Sequence, residues 1–194
     1  MFLLPQDSWV VHQTKAKGFG VFAKKEIQAG TIIGDYLGTV IHIADYDIEN
    51  DAAGLYLMYL TDHASVYPDL HTEGLHLINH SCNPNCWMYI YKGHTLFFAI
   101  RTIYPDEEFT IAYLLSPKDD TCDVCTHMCF CGEARCTGTM HLTHEQYTRW
   151  QVFQTLQRKK TRRAPFEVGA LLKKLSHYPV SIPMDTIYTQ LLIS

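Results

Sequence analysis

The stretch Leu77-Ile78-Asn79-His80-Ser81-Cys82-Asn83-Pro84-Asn85 sets a dense block of polar side chains directly behind an apolar pair. Burying an amide or imidazole costs free energy unless each finds hydrogen-bond partners, so such a block is poor material for an idle core. Asn and His supply donors and acceptors able to hold a ribose, an adenine edge or a ligand amine. Turn chemistry at Asn83-Pro84 explains the same block more plainly, as a polar turn. The motifs that accompany it along the chain decide between the two.

One is Cys129-Phe130-Cys131-Gly132-Glu133-Ala134-Arg135-Cys136, followed by Gly138. Three thiolates so spaced fit three corners of a tetrahedral zinc site, at about 2.3 Å each, with a fourth ligand from elsewhere. The chain has seven cysteines, and five fall between Cys122 and Cys136. An odd, crowded set argues for metal rather than a disulfide framework. Cys122 and Cys125 add a Cys-x2-Cys pair, with His127 beyond it, that could bind a second metal or replace a ligand in the first site. Cys86 reads as a packed thiol.

Two further motifs are weaker alone. Lys17-Gly18-Phe19-Gly20-Val21-Phe22-Ala23 carries a glycine pair that lets the backbone approach a ligand closely, although a tight turn between strands explains it as well. Glu107-Glu108-Phe109-Thr110-Ile111-Ala112-Tyr113 ends in a tyrosine that packing alone would account for.

The 194 residues allow one substantial core, and 47% hydrophobic with 12% aromatic content favours a packed protein over a disordered one. No apolar run approaches the roughly 18 residues needed to span a bilayer, and residues 1–9 lack a basic signal-peptide start. The expectation is an intracellular protein. Charge is uneven. Residues 143–194 hold eight Lys or Arg against three acidic residues, a net +5, which leaves −9 on the remainder of a chain whose total is −4. An acidic body attracts basic partners. The run Arg158-Lys159-Lys160-Thr161-Arg162-Arg163 admits a nucleic-acid or nuclear-localisation patch, although a solvated helix end is the simpler reading.

Short strands are expected at 9–12, 20–23, 32–37, 57–60, 87–91, 96–100 and 109–113, with a hairpin turn at Lys92-Gly93-His94. Thr143 and Gln146 resemble a capping box, and Tyr147, Trp150, Phe153 and Leu156 recur at helical spacing. Val168, Leu171, Leu172 and Leu175 suggest a second helix, and Pro183 the start of a short third.

In order, Gly18-Phe19-Gly20, Asp35-Tyr36-Leu37-Gly38, the 79–85 block, Glu108 to Tyr113 and Cys-x-Cys-x4-Cys resemble a SET domain with its post-SET zinc segment. The resemblance covers roughly residues 10–140. It implies a mainly β SET fold: short strands in small sheets around a pseudoknotted core, a zinc-bound post-SET segment and a C-terminal helical extension. The implied divisions are 1–120 for the SET domain, 121–142 for the Cys-rich segment and 143–194 for the extension.

The resemblance further implies protein-lysine methylation by S-adenosylmethionine. The cofactor would be cradled by Lys17, Gly18, Phe19, Asn79 and His80, with Phe130 near its adenine. Cys82 would complete a zinc site with Cys129, Cys131 and Cys136. Tyr113 is similar to the family's catalytic tyrosine, and Tyr56, in a segment resembling the family's lysine-channel strand, would be a second tyrosine at the cofactor and channel. The substrate would be a lysine in a basic segment, with a histone tail as the natural candidate and nuclear, chromatin-associated location as its corollary. A lysine amine, with pKa near 10.4, must lose a proton before it attacks. A desolvated channel beside a sulfonium favours that loss, and tyrosine hydroxyls can aim the lone pair.

Four positions depart from the family pattern: Asp35 replaces a glutamate, His76 an arginine, Ala112 an aspartate, and Ile111 a Phe or Tyr that often limits methyl number. None removes a reacting group. Two other classes remain open: a non-catalytic interaction module on the same fold, and a zinc-dependent nucleic-acid binder driven by the basic tail.

Overall fold

The computed structural model describes residues 1–45, 56–61, 63–118, 125–160 and 166–182, and side chains of 156–160 are not described. Among the described residues, ten short strands form four small sheets, accompanied by three single 3-10 turns and followed by one helix. β1 (Trp9–Gln13) pairs antiparallel with β2 (Phe19–Ala23). β3 (Ile32–Asp35), β8 (Cys86–Tyr91) and β9 (His94–Ala99) form a sheet in the order β3-β9-β8. β4 (Thr39–His42), β5 (Met58–Tyr59) and β6 (Ala64–Tyr67) form another, with β6 central. The last sheet is a two-residue parallel pair of β7 (Asn79–His80) and β10 (Thr110–Ile111).

The core is centred on β9, where every residue is buried. Successive side chains of a strand point to opposite faces, and Phe97 and Phe98 accordingly enter two different apolar clusters. Between β8 and β9, Lys92 (φ 49°) and Gly93 (φ 85°) turn the chain with two consecutive positive φ angles, the type I′ geometry that suits a twisted hairpin. Gly38 is required by contact rather than by φ, because a Cβ there would run into the Tyr67 carbonyl oxygen.

All seven expected strands are present, at shifted bounds, while β4, β6 and β7 are additional. Residues 54 and 55, at the start of the expected channel strand, lie outside the described residues. The expected helix begins as read: Gln146 N–H donates to Thr143 Oγ1 at 3.2 Å and Thr143 N–H to Gln146 Oε1 at 2.9 Å, a reciprocal capping box. It runs as α1 (His144–Lys160). The region of Pro183 and the side chains of the 158–163 basic run lie outside the described residues.

The second expected helix, over Val168 to Leu175, is not formed. Gly169 adopts φ 85°, and its N–H donates to the Val40 carbonyl at 2.7 Å. The Val40 N–H donates to Ala170 O at 2.9 Å and Leu172 N–H to Gly38 O at 2.8 Å. The free edge of β4 thus takes up this segment as extended chain, and Val168 and Leu171, expected on an apolar helix face, are exposed.

Residues 166–182 are joined to the SET-like body by more than this edge. Tyr178 O–H donates to Asp35 Oδ2 at 2.8 Å, on a carboxylate that is fully buried and also meets His94 Nδ1 at 2.7 Å. Ile182 is buried, and its N–H donates to Gly30 O at 3.0 Å. A buried carboxylate costs free energy unless it is hydrogen-bonded, and here Oδ2 carries both contacts while Oδ1, also buried, has no partner among the described residues. Replacing Tyr178 with Phe should therefore lower unfolding free energy by about 1–3 kcal/mol. Urea unfolding with an unchanged midpoint would contradict this anchoring role.

Candidate active site and cysteine cluster

The pairing of β7 with β10 fixes the site, because it lays Asn79 beside Thr110 and His80 beside Ile111. Asn79 Nδ2 donates to Phe19 O at 2.9 Å and to Glu108 Oε1 at 2.8 Å. Lys17 Nζ donates to the other Glu108 oxygen at 2.5 Å. Of the residues implicated by sequence, Lys17 and Asn79 therefore meet through Glu108, and Phe19 joins them through its carbonyl on Asn79. Gly18 has φ 70° with open space beside its Cα. At Gly20 a Cβ would come within 2.6 Å of Glu108 Oε1 and 3.0 Å of Asn79 Nδ2. The second glycine of the pair thus makes room for the network.

Asn85 secures the two segments to each other. Its Oδ1 accepts from Thr110 N–H at 2.9 Å, its Nδ2 donates to Glu108 O at 2.8 Å, and its own N–H donates to Thr110 Oγ1 at 3.3 Å. The side chain is buried, so each of these bonds replaces water that has no access. His80 extends the connection to Tyr113, whose N–H donates to His80 Nδ1 at 3.2 Å. A neutral imidazole that accepts at Nδ1 carries its proton on Nε2, and here Nε2 lies 3.5 Å from Cys82 Sγ. Burial, reinforced by the Lys17 charge, lowers the His80 pKa to about 4.

Tyr113 borders a mostly apolar cavity of about 300 Å³ that Tyr36, Met88, Ile90 and Ile111 also line. Its hydroxyl donates to Ile78 O at 3.3 Å. Burial, with smaller contributions from Tyr56 and Glu108, pushes its phenol well above the usual tyrosine value. Tyr113 is therefore a neutral hydroxyl with a fixed orientation, suited to positioning rather than to strong-base chemistry. Tyr36 is buried and donates its hydroxyl to Tyr56 O at 2.5 Å. Tyr56 sits edge-on to His76, with ring centroids 5.7 Å apart, and the cavity wall beside it comes from Leu57, Met58 and Tyr59. α1 also contributes to the lining, through Tyr147, Trp150 and Phe153. Trp150 meets Trp87 edge to face at 6.4 Å.

Cys82, Cys129, Cys131 and Cys136 bring their sulfurs within 4.8 Å of one another. Cys82 Sγ and Cys129 Sγ are 3.6 Å apart, far beyond the roughly 2.05 Å of a disulfide. That separation fits thiolates on a tetrahedral ion with about 2.3 Å bonds. The Gly138 N–H donates to Cys136 Sγ at 3.4 Å. At Cys131, burial opposes the thiolate, but hydrogen bonding from the Cys82 and Glu133 backbone and from neighbouring thiols outweighs it and lowers the pKa to about 7. The donor set fits zinc. Phe130, between two of these cysteines, is exposed, as is Phe19. Each offers a flat apolar face of the kind a purine stacks on.

Two participants were not singled out from sequence. Glu108 was visible only as one carboxylate of an acidic pair, and Tyr36 only as part of Asp35-Tyr36-Leu37-Gly38. Cys86 is buried and its thiol is pushed up to about 12 by burial, in keeping with a packed side chain. Cys122 lies outside the described residues.

Residues 18–114, half of the chain, match the family described as SET domain. Among similar curated proteins, histone-lysine N-methyltransferase TRX1 of Oryza sativa subsp. japonica is 31% identical over 140 residues, covering 66% of this chain and 13% of that protein. Histone-lysine N-methyltransferase ATX2 of Arabidopsis thaliana is 34% identical over 141 residues, covering 66% and 12%. The H3 lysine-36 specific enzyme of Eremothecium gossypii is 33% identical over 138 residues, covering 66% and 20%. The chain thus spans a fifth or less of these relatives. The fold is similar to the crystal structure of KRYPTONITE in complex with mCHG DNA and SAH. The TM-score is 0.57 at 23% identity, over 70% of this chain and 29% of that one. With the family match on half its length and the fold in agreement, this chain belongs to the SET domain family.

Proposed function

We propose that the chain is a protein-lysine N-methyltransferase that uses S-adenosylmethionine and acts on a lysine in a basic segment, with histone as the substrate class. The observation that carries this reading is the junction at β7 and β10, which places Asn79 and His80 against the segment ending in Tyr113, beside an apolar cavity. Support comes from the relatives, which are named histone-lysine methyltransferases, and from the −9 charge of the body. Nuclear location follows from a histone substrate. Among the described residues no helix is long and apolar enough to cross a membrane.

In this reading Lys17, Gly18, Phe19, Asn79 and His80 hold the cofactor, with Phe130 covering the adenine. S-adenosylmethionine, when bound, supplies an electrophilic methyl group on a sulfonium. The chain's own residues prepare the nucleophile. Apolar walls at Met88, Ile90 and Ile111 exclude water from the lysine amine, which favours its neutral form. Tyr113, neutral and tied to Ile78 O, accepts a hydrogen bond from the amine and orients its lone pair. Tyr56, whose carbonyl accepts from Tyr36 and whose ring influences the phenol of Tyr113, contributes as a second tyrosine. Cys82, Cys129, Cys131 and Cys136 hold zinc, which fastens the post-SET segment to the loop carrying His80.

Calorimetric titration of the zinc-loaded chain with S-adenosylhomocysteine tests the pocket without a known substrate. One-to-one binding is expected, reduced at least tenfold by Asn79→Ala. Failure of the zinc-loaded wild type to bind would leave an interaction module on the SET fold. Zinc removal should also weaken binding, since metal binding and local folding are coupled. Unchanged affinity after verified loss of metal would refute that connection.

A further inference from the structure

Cys125, His127 and His141 converge outside both the four-cysteine cluster and the cavity. Cys125 Sγ lies 3.3 Å from His141 Nε2 and 3.9 Å from His127 Nδ1. The two imidazoles meet edge to face with centroids 5.0 Å apart. All three donor atoms fall within 4.8 Å of one another. On a tetrahedral zinc with bonds of about 2.3 Å to sulfur and 2.0 Å to nitrogen, neighbouring ligand atoms are about 3.5 Å apart. The observed separations bracket that value.

A second observation concerns orientation. His141 Nδ1–H donates to Ser116 O at 2.6 Å, which leaves Nε2 unprotonated in the neutral ring and aimed at the Cys125 sulfur. Metal-bound histidines are commonly fixed by such a bond from the other ring nitrogen to a carbonyl. The backbone holds the ligand segments together as well. Met140 N–H donates to His127 O at 3.0 Å, and His141 N–H to Thr139 Oγ1 at 3.1 Å. All three ligands are half-buried and border a groove shared with Lys118 and Met128, where water or a further side chain can complete the coordination.

We propose that Cys125, His127 and His141 form a second zinc site, separate from the four-cysteine cluster. Its place in the fold gives it a role. Leu115 pairs with His141, and Leu142 N–H donates to Leu115 O at 3.0 Å. Thr143, two residues past His141, caps α1. A metal here ties the chain just beyond Tyr113 to the start of the helix that walls the cavity. The site therefore governs how firmly Tyr147 and Trp150 are held, without touching the reacting groups.

The test is zinc content per chain, by atomic emission and native mass spectrometry of the full chain purified with zinc. Two zinc ions are expected in the wild type and one in His141→Ala. His127→Ala should also hold one, whereas His127→Cys, which preserves a donor, should keep two. Cys82→Ser reports the four-cysteine cluster independently, so failure of that assignment is seen separately. A single zinc in the wild type that His141→Ala retains overturns the proposal. So does a count of two in His141→Ala, or equal counts in His127→Ala and His127→Cys.

Discussion

The buried carboxamide of Asn85 is the fastening on which the site depends. It reads the backbone of Glu108 and Thr110 with both its donor and its acceptor, and no apolar side chain can replace that pairing without leaving polar backbone unsatisfied. Two segments distant in sequence are thereby held in parallel. Their two-residue ladder is too short to be stable alone, since even an isolated hairpin is marginal in water. Once it is fixed, Asn79 faces Glu108 and Lys17, and His80 faces Tyr113 and Cys82. Asn79, His80, Tyr113 and Cys82 are thus set relative to one another by one junction.

Burial then determines what these groups can do. Tyr113 and Tyr36 remain neutral phenols because their surroundings disfavour a phenolate. Under the proposed reading, such surroundings would orient and desolvate an amine without a strong base. The Glu108 carboxylate works differently, joining the Lys17 ammonium to the Asn79 amide. Its role is to position residues around the glycine pair.

The strands best read from sequence were those whose own side chains mark them. The β8–β9 hairpin combines apolar runs with a turn at Lys92-Gly93 that takes positive φ, and it forms where those residues place it. β7 was not legible as a strand because it exists only through its pairing with β10. β4 and β6 are four residues each, and each is defined by its partner in the sheet. The error at 168–175 has the same origin. The spacing of Val168, Leu171, Leu172 and Leu175 fits a helix, but the unpaired edge of β4 offers these backbone groups better partners. For the candidate site, the four cysteines lie together, and Asn79 is bonded to Phe19 and, through Glu108, joined to Lys17. Tyr36 and Glu108 were hidden because their roles arise from neighbours 20 and 29 residues away.

The most direct measurement is transfer of a labelled methyl group from S-adenosylmethionine to purified core histones, for the wild type and Tyr113→Phe, with S-adenosylhomocysteine affinity measured on both. The wild type should label a lysine. Tyr113→Phe should retain cofactor affinity yet transfer more slowly by a factor on the order of 10², the scale of a misoriented reactant. Equal transfer rates in the two proteins would contradict the role given to Tyr113 and to the junction that places it.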